Sequence, residues 1–204
     1  MTSRQIRRFF RAFSRRIEFP VTVLLTGAAA GALLGSSRPS LDVDFAVVLR
    51  HRRGRRAWDA VEAAASGAAR DTGIAANFAA DISRWSLISF LDYARHTRAY
   101  ARFGRVEVRL LEPAYWAIGK LARYLDPDVR DLTGVLRAQR VAAEPLARLW
   151  GRALRASPGS SACGAFRRQV EHFFATHGRA IWGASFDPPR AVAIFHRAAR
   201  IPHA

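Results

Sequence analysis

The stretch TGAAAGALLGSSRPSLDVDF at residues 26–45 carries the most informative pattern of the chain. It starts with a glycine and a run of small residues, and it ends on two aspartates that are one residue apart. On an extended strand, residues i and i+2 point to the same side, so we expect Asp42 and Asp44 to stand next to each other. Two carboxylates held that close repel each other, and a shared proton or a shared cation relieves the repulsion.

The chain around this stretch alternates between strand and helix patterns. The predicted elements are, in chain order, a strand at Val21–Thr26, a helix at Ala28–Leu34, a strand at Leu41–Leu49 with Leu41 on its apolar face, a helix at Ala57–Arg70, one or two strands within Ile74–Phe90 and a strand at Arg105–Leu111. After Pro113 the apolar residues recur at helical spacing only. We therefore predict an α/β (α+β) core over residues 1–112 and a helical C-terminal part over residues 113–204.

The N-terminal segment predicts an amphipathic helix, because its apolar residues recur at helical spacing with arginines opposite. These apolar residues are Ile6, Phe9, Phe10, Phe13 and Ile17. The uncharged stretch from Phe19 to Ser37 resembles a signal peptide or a membrane span. However, Pro20 interrupts it, and its Thr, Gly and Ala residues make it less hydrophobic than a typical span. We expect no stable membrane insertion. A protein that lies on a membrane surface through this basic helix stays an alternative.

The charge of the chain favours polyanionic partners. Its 33 basic residues against 16 acidic ones give a formal net charge of +17, which suits RNA, DNA, nucleotide phosphates or an anionic membrane surface. All of the basic residues are arginines except Lys120. Cys163 is the only cysteine, which excludes an internal disulfide and a cysteine-based zinc site and fits a reducing compartment, so we expect a cytoplasmic protein.

The aspartate pair suits a hard divalent cation. Mg²⁺ takes oxygen ligands and is commonly held by one or two carboxylates together with substrate phosphates. Small residues at 26–31 would let backbone N–H groups approach a phosphate, although no Gly-Lys-Ser/Thr follows and the segment is not a P-loop. Taken alone, two aspartates in this pattern are a weak signal for a metal site, and a solvated strand end explains them more simply.

Two blocks of sequence together resemble a known family. TGAAAGALLGSSRPSLDVDF is similar to the glycine turn, helix and Arg-x-[Ser/Thr]-x-Asp-[Ile/Val]-Asp-[Phe/Leu] of the DNA polymerase β-like nucleotidyltransferases. EPAYWAIGKLARYLDPDVRDL at residues 112–132 resembles the helical K-L-x-R segment of their small bacterial members, which are related to the nucleotidyltransferase toxins of abortive-infection and toxin–antitoxin systems. The resemblance covers roughly residues 5–140. It implies a short mixed sheet with flanking helices and an active site at the Asp pair.

The resemblance also implies roles for individual residues. Asp42 and Asp44 would hold Mg²⁺ or Mn²⁺, and Lys120 would face the phosphates of an NTP substrate. Gly27, Ala28 and Arg38 fall in the nucleotide-binding block, and Asp128 and Asp131 fall in the later helical block. Asp-Pro-Asp between helices is also a common capping signature, so capping is an equal alternative for Asp128.

Two departures from the family pattern keep a second function open. Ala28 stands where these enzymes usually have Ser or Gly. A third acidic residue is expected on a later strand, and Glu107 is the candidate. The leading prediction is a Mg²⁺-dependent transfer of a nucleoside monophosphate from an NTP to an acceptor hydroxyl, with an RNA such as a tRNA end as the acceptor and an antitoxin-like protein as a partner. The alternative is a catalytically inactive protein of this fold that binds RNA or a protein partner.

Overall fold

A computed structural model describes residues 1–37, 39–49 and 54–201. The chain forms two compact units. The first comprises Met1–Leu33, Arg38–Ile82 and Ala94–Glu112, and the second comprises Leu34–Ser37, Ser83–Tyr93 and Pro113–Ala204. The mixed α/β fold class predicted from the sequence is confirmed: a sheet lies in the first unit and the second is helical.

The first unit is built on a five-stranded mixed sheet. Its strands are β1 (Val21–Thr26), β2 (Asp42–Leu49), β3 (Ala75–Ala79), β4 (Thr97–Phe103) and β5 (Val106–Leu111), and their order across the sheet is β3-β2-β1-β5-β4. β1 pairs with β2 and β4 with β5 in antiparallel fashion, whereas β1 with β5 and β2 with β3 are parallel. β2 therefore lies between β1 and β3, so residues of both strands flank the aspartates.

Three helices belong to the same unit: α1 (Ser3–Ser14), α2 (Gly27–Leu33) and α3 (Arg55–Thr72). Of the apolar residues predicted for the N-terminal helix, four are fully buried on α1, and Ile17, which lies beyond the end of the helix, is 5% exposed. Phe9, Phe10 and Phe13 surround the ring of Phe45 on β2, at centroid distances of 6.1, 5.6 and 6.0 Å. Because the apolar face of α1 forms part of the core, this face is not available to insert into a membrane surface.

The second unit contains α4 (Pro113–Arg123), α5 (Asp126–Ala138), α6 (Ala143–Ala156), α7 (Ser161–Trp182) and α8 (Pro188–Ala199). Its core is aromatic: Trp150 lies 5.8 Å from Phe173 and 5.4 Å from Phe174, measured between ring centroids. α6 and α8 approach closely at Gly151, where an added Cβ would lie 2.5 Å from the carbonyl oxygen of Phe195. No helix within the described ranges has the length and apolar character that a bilayer crossing requires.

Three local predictions need correction. Only Ala75–Ala79 of the segment Ile74–Phe90 is a strand, and a short 3₁₀ helix follows at Ile82–Trp85. The strand predicted from Leu41 begins at Asp42, and Leu41 is 89% exposed. β4 was not predicted, because a register shift between Ala99 and Ala101 interrupts the period-2 alternation that reveals a strand.

Candidate metal-binding site on strand β2

The two aspartates of β2 stand side by side, as their spacing predicts. Asp44 lies opposite Thr26 of β1 on one side and opposite Asn77 of β3 on the other. The side-chain amide nitrogen of Asn77 donates to Oδ2 of Asp42 at 2.9 Å and to Oδ1 of Asp44 at 3.0 Å. One neutral donor therefore bridges the two carboxylates and offsets part of their repulsion.

Sequence reasoning missed Asn77. Its strand is short and largely exposed, and one asparagine in AANFA carries no recognisable motif. The parallel pairing of β2 with β3 places it level with Asp44. An asparagine side chain holds a carbonyl oxygen as well as the amide nitrogen, and a rotation of the terminal amide exchanges the two. This position can therefore offer either a donor to the carboxylates or an oxygen to a cation.

Gly27 allows the carboxylate of Asp44 to approach the backbone. A Cβ at residue 27 would lie 1.9 Å from Oδ2 of Asp44, and the φ of Gly27 is +65°. An added side chain here would be strained by the left-handed backbone and would force the carboxylate of Asp44 to move. Ala28 follows in the first turn of α2, a helix of seven residues. Arg38 lies outside the described residues.

Ser40 holds the segment that enters β2. Its hydroxyl donates to the backbone oxygen of Asp42 at 2.7 Å, and the same hydroxyl lies 3.4 Å from Oδ1 of that residue. These contacts fix the first residue of the strand, so the aspartate side chain leaves the backbone from an ordered position.

Glu107 lies on the same face of the sheet but at its other end. It is opposite Thr22 of β1, whereas Asp44 is opposite Thr26. Four residues of strand separate these two levels by about 13 Å. Nη1 of Arg109 binds Oε1 of Glu107 at 2.8 Å. This register puts Glu107 out of reach of a cation held by the Asp pair.

Lys120 is buried within the second unit, with an exposed fraction of 3%. Its ammonium lies 3.1 Å from Oδ1 of Asp128 and 2.7 Å from Oδ2 of Asp131, and 5.6 Å from the centroid of the Trp116 ring. A lysine that faces substrate phosphates would be exposed in a cleft and would contribute little to stability, and the burial of Lys120 contradicts that expectation. A compact ammonium fits between two carboxylates where a planar guanidinium would need more room.

Asp128 is the centre of this second cluster. Arg123 binds both of its oxygens, through Nε at 2.7 Å and through Nη2 at 2.6 Å. Burial raises the pKa of Asp128, but the hydrogen bonds and charges of Arg123 and Lys120 outweigh burial and lower it below its usual range. Oδ2 of Asp128 also lies 3.4 Å from the backbone N–H of Leu125, the N-cap of α5. Through this contact Asp128, the third helical residue, also faces the orphan N–H groups at the start of α5.

Asp131 connects the lysine to the segment Leu34–Ser37. The hydroxyl of Ser36 donates to Oδ1 of Asp131 at 2.5 Å, and the side-chain amide of Gln139 donates to the carbonyl oxygen of Leu34 at 3.0 Å. The buried side chains of Lys120, Asp128 and Asp131 and the exposed Arg123 thus form one network, which also holds this short segment on α5. Ser36 was not singled out from the sequence, because a serine in SSRPS carries no signal of its partner.

The donors at β2 fit a magnesium-type cation better than a softer metal. Two carboxylates and one amide oxygen are hard ligands, and Mg²⁺ commonly takes one or two carboxylates and completes its shell with water or phosphate oxygens. Across residues 1–37, 39–49 and 54–201, no group of three or more His, Cys, Asp or Glu side chains is arranged to hold a metal. No family model matches the chain, and neither a curated protein nor a solved structure matches it.

Proposed function

We propose that the protein is a divalent-metal-dependent nucleotidyltransferase that moves a nucleoside monophosphate from an NTP to an acceptor hydroxyl. The observation that supports this most is the pairing of Asp42 and Asp44 on one face of β2, with the amide of Asn77 against both. In this reaction the acceptor hydroxyl loses its proton to water and its oxygen bonds to the α-phosphorus, while the bond from the α-phosphorus to the oxygen that bridges to the β-phosphate breaks and pyrophosphate leaves. Such transfers depend mainly on positioning and on electrostatic stabilisation.

The chain's own residues would position the reacting groups. Asp42 and Asp44 would hold Mg²⁺ or Mn²⁺, which when bound neutralises charge on the phosphate oxygens. The amide of Asn77 would turn its oxygen toward the cation or keep its N–H groups on the carboxylates. The missing side chain at Gly27 keeps Asp44 close to the backbone, and Ser40 fixes the start of the strand.

The roles predicted for Arg38 and Lys120 at the phosphates stay predictions. The ion pairs of Lys120 with Asp128 and Asp131 support a positioning role for this lysine in the second unit. A larger guanidinium at a buried position typically costs about 1–3 kcal/mol of stability. The transfer rate of Lys120→Arg therefore has to be read beside its free energy of unfolding.

A specific observation favours the alternative function, a catalytically inactive protein that binds RNA or a protein partner. The side chain beside the Asp pair on β3 is a neutral amide, so this position adds no negative charge to attract a second cation. Ala28 also supplies no hydroxyl for a phosphate. A toxin-like role with an antitoxin-like partner belongs to the active proposal, since that role needs the transfer reaction.

The two functions differ in how nucleotide binding depends on the metal. We expect calorimetry to show NTP binding that is stronger with Mg²⁺ or Mn²⁺ than without. In Asp44→Asn the metal should no longer strengthen NTP binding, and transfer of labelled nucleotide should fall by on the order of 10²-fold or more. Asp59→Asn is the matched control, because Asp59 is an exposed aspartate of α3. Metal-independent binding that Asp44→Asn leaves unchanged would contradict the enzyme and support the inactive alternative.

Asn77→Asp is a second test of whether a cation binds beside the Asp pair. A third carboxylate level with Asp44 should raise the affinity for Mn²⁺, because the added charge stabilises a bound cation. If Asn77→Asp leaves Mn²⁺ affinity unchanged, the cation does not bind between β2 and β3.

A further inference from the structure

The arginines of α1 form two groups with different contacts. Arg8 donates through Nη2 to the carbonyl oxygen of Thr72, at the end of α3. Arg16, just beyond α1, forms an ion pair with Asp71 at 2.9 Å and donates to the carbonyl oxygen of Ala12. Arg8 and Arg16 therefore hold the N-terminal segment against α3.

The other group makes a stripe on the outward side of the helix. Arg4, Arg7, Arg11 and Arg15 are all exposed. Their spacings of three and four residues place them within an arc of about 80° and along about 16 Å of helix. We call these four residues the arginine stripe. α1 contains no acidic residue, and none of the four has an ion-pair partner among the described residues.

The stripe carries an electrostatic cost in the free protein. Like charges at i, i+3 and i, i+4 destabilise a helix by about 0.2–0.5 kcal/mol per pair. Phosphate oxygens bound along the stripe would turn this repulsion into attraction. Guanidinium groups bind phosphates through paired N–H donors, which makes arginine well suited to such contacts.

Strand β4 adjoins the stripe and extends the surface. The guanidinium of Arg7 lies 5.3 Å from the centroid of the Tyr100 ring, and the hydroxyl of Tyr100 lies 2.8 Å from that of Ser3. β4 is an edge strand of the sheet, and Arg98 and Arg102 on it are exposed. An aromatic ring within a basic surface is typical of proteins that bind nucleic-acid strands.

We infer that the arginine stripe and the adjoining edge of β4 bind a nucleic-acid strand through its phosphates. The inference does not rest on the nucleotidyltransferase proposal, because no residue of this surface belongs to the Asp pair. An anionic membrane is a weaker candidate, since the apolar residues of α1 are buried in the core and the helix has only charge to offer a lipid surface.

Two double variants of equal charge test the inference. Arg7→Gln with Arg11→Gln removes two charges from the stripe, and Arg8→Gln with Arg16→Gln removes two charges from the group that contacts α3. The probe is a labelled uridine homopolymer RNA of about 20 nucleotides, with a thymidine homopolymer DNA of the same length in parallel. Affinities are measured over a series of salt concentrations with the full chain.

The stripe variant should bind about tenfold more weakly at low salt, and the slope of log affinity against log salt should fall by about 1.4, since each lost phosphate contact on a single strand removes about 0.7. The Arg8/Arg16 variant should lose thermal stability and keep the slope of the wild type. A loss with both probes supports the inference, and a loss with only one of them supports it and also identifies the nucleic acid as RNA or DNA. Anionic phospholipid vesicles serve as a third probe. Equal effects of the two variants on affinity and on the salt slope, or weaker binding of the stripe variant to the vesicles alone, would overturn the inference.

Discussion

The protein has two pairs of aspartates, and their surroundings differ. Asp42 and Asp44 lie on a strand, are partly exposed, and share a neutral amide donor, Asn77. Asp128 and Asp131 lie on a helix, are 1% and 2% exposed, and bind Lys120. A buried carboxylate pair is stable only when cations of the protein neutralise it. The partly exposed pair on β2 is open to solvent on one side, which supports the proposal that a cation binds there.

The largest expected effect comes from removing the cation of the buried pair. Lys120→Met keeps the length of the side chain but leaves Asp131 without its lysine, and breaking a buried ion pair on one side costs about 3–5 kcal/mol. Urea denaturation should show this loss in the free energy of unfolding. Arg152→Met, at an exposed position of α6, should stay within about 0.5 kcal/mol of the wild type. Equal stabilities for the two variants would show that the buried network is dispensable.

The second test applies the same substitution to each pair. Asp131→Asn should lower the free energy of unfolding by about 2–4 kcal/mol, because the amide cannot accept from Lys120 and from Ser36 as the carboxylate does. Asp42→Asn should leave it unchanged or raise it by up to about 1 kcal/mol, because one of two neighbouring charges disappears. Similar losses at both positions would remove the distinction between a structural pair and a metal-binding pair.

The third test separates backbone strain from the contact with Asp44. Gly27 and Gly73 have nearly the same backbone, with φ of +65° and +66°, but an added Cβ meets Asp44 at Gly27 and nothing within 4 Å at Gly73. Gly73→Ala should cost about 1 kcal/mol from strain alone. Gly27→Ala should cost about 1–2 kcal/mol more and should weaken Mn²⁺ binding, because the carboxylate must move. Unfolding and metal titrations of both variants measure the difference; equal costs would show that Asp44 moves freely.

The smallest expected effect is on the acid side of the stability profile. The folded-state pKa of Asp128 is lower than that of an ordinary aspartate, so its contribution is fully present above the unfolded value of about 3.9 and is lost as the pH falls through the folded pKa. Unfolding measured between about pH 5 and pH 2 should show this loss in the wild type. It should be smaller in Lys120→Met, in which one source of the lowered pKa is gone, and identical profiles would contradict the link.

Much of the fold could be predicted because it depends on local periodicity. β1 begins and ends at the predicted residues, and the predicted α3 differs from the observed helix by two residues at each end. The apolar face of α1 was also identified correctly, since 3.6-residue spacing fixes which side chains share a face. β4 was not predicted, because a register shift breaks the alternation of its buried and exposed side chains. An edge strand with exposed arginines also lacks the apolar pattern of a central strand.

For the candidate site, too, local spacing predicted some features and missed others. The spacing of Asp42 and Asp44 was enough to place them side by side, because the two-residue period of a strand is a property of the backbone. The contact of Asn77 with both, the separation of Glu107 by about 13 Å along the strands, and the ion pairs of Lys120 with Asp128 and Asp131 became visible only in the folded chain. Strand order and helix packing depend on contacts between residues far apart in the chain, and local spacing does not encode such contacts.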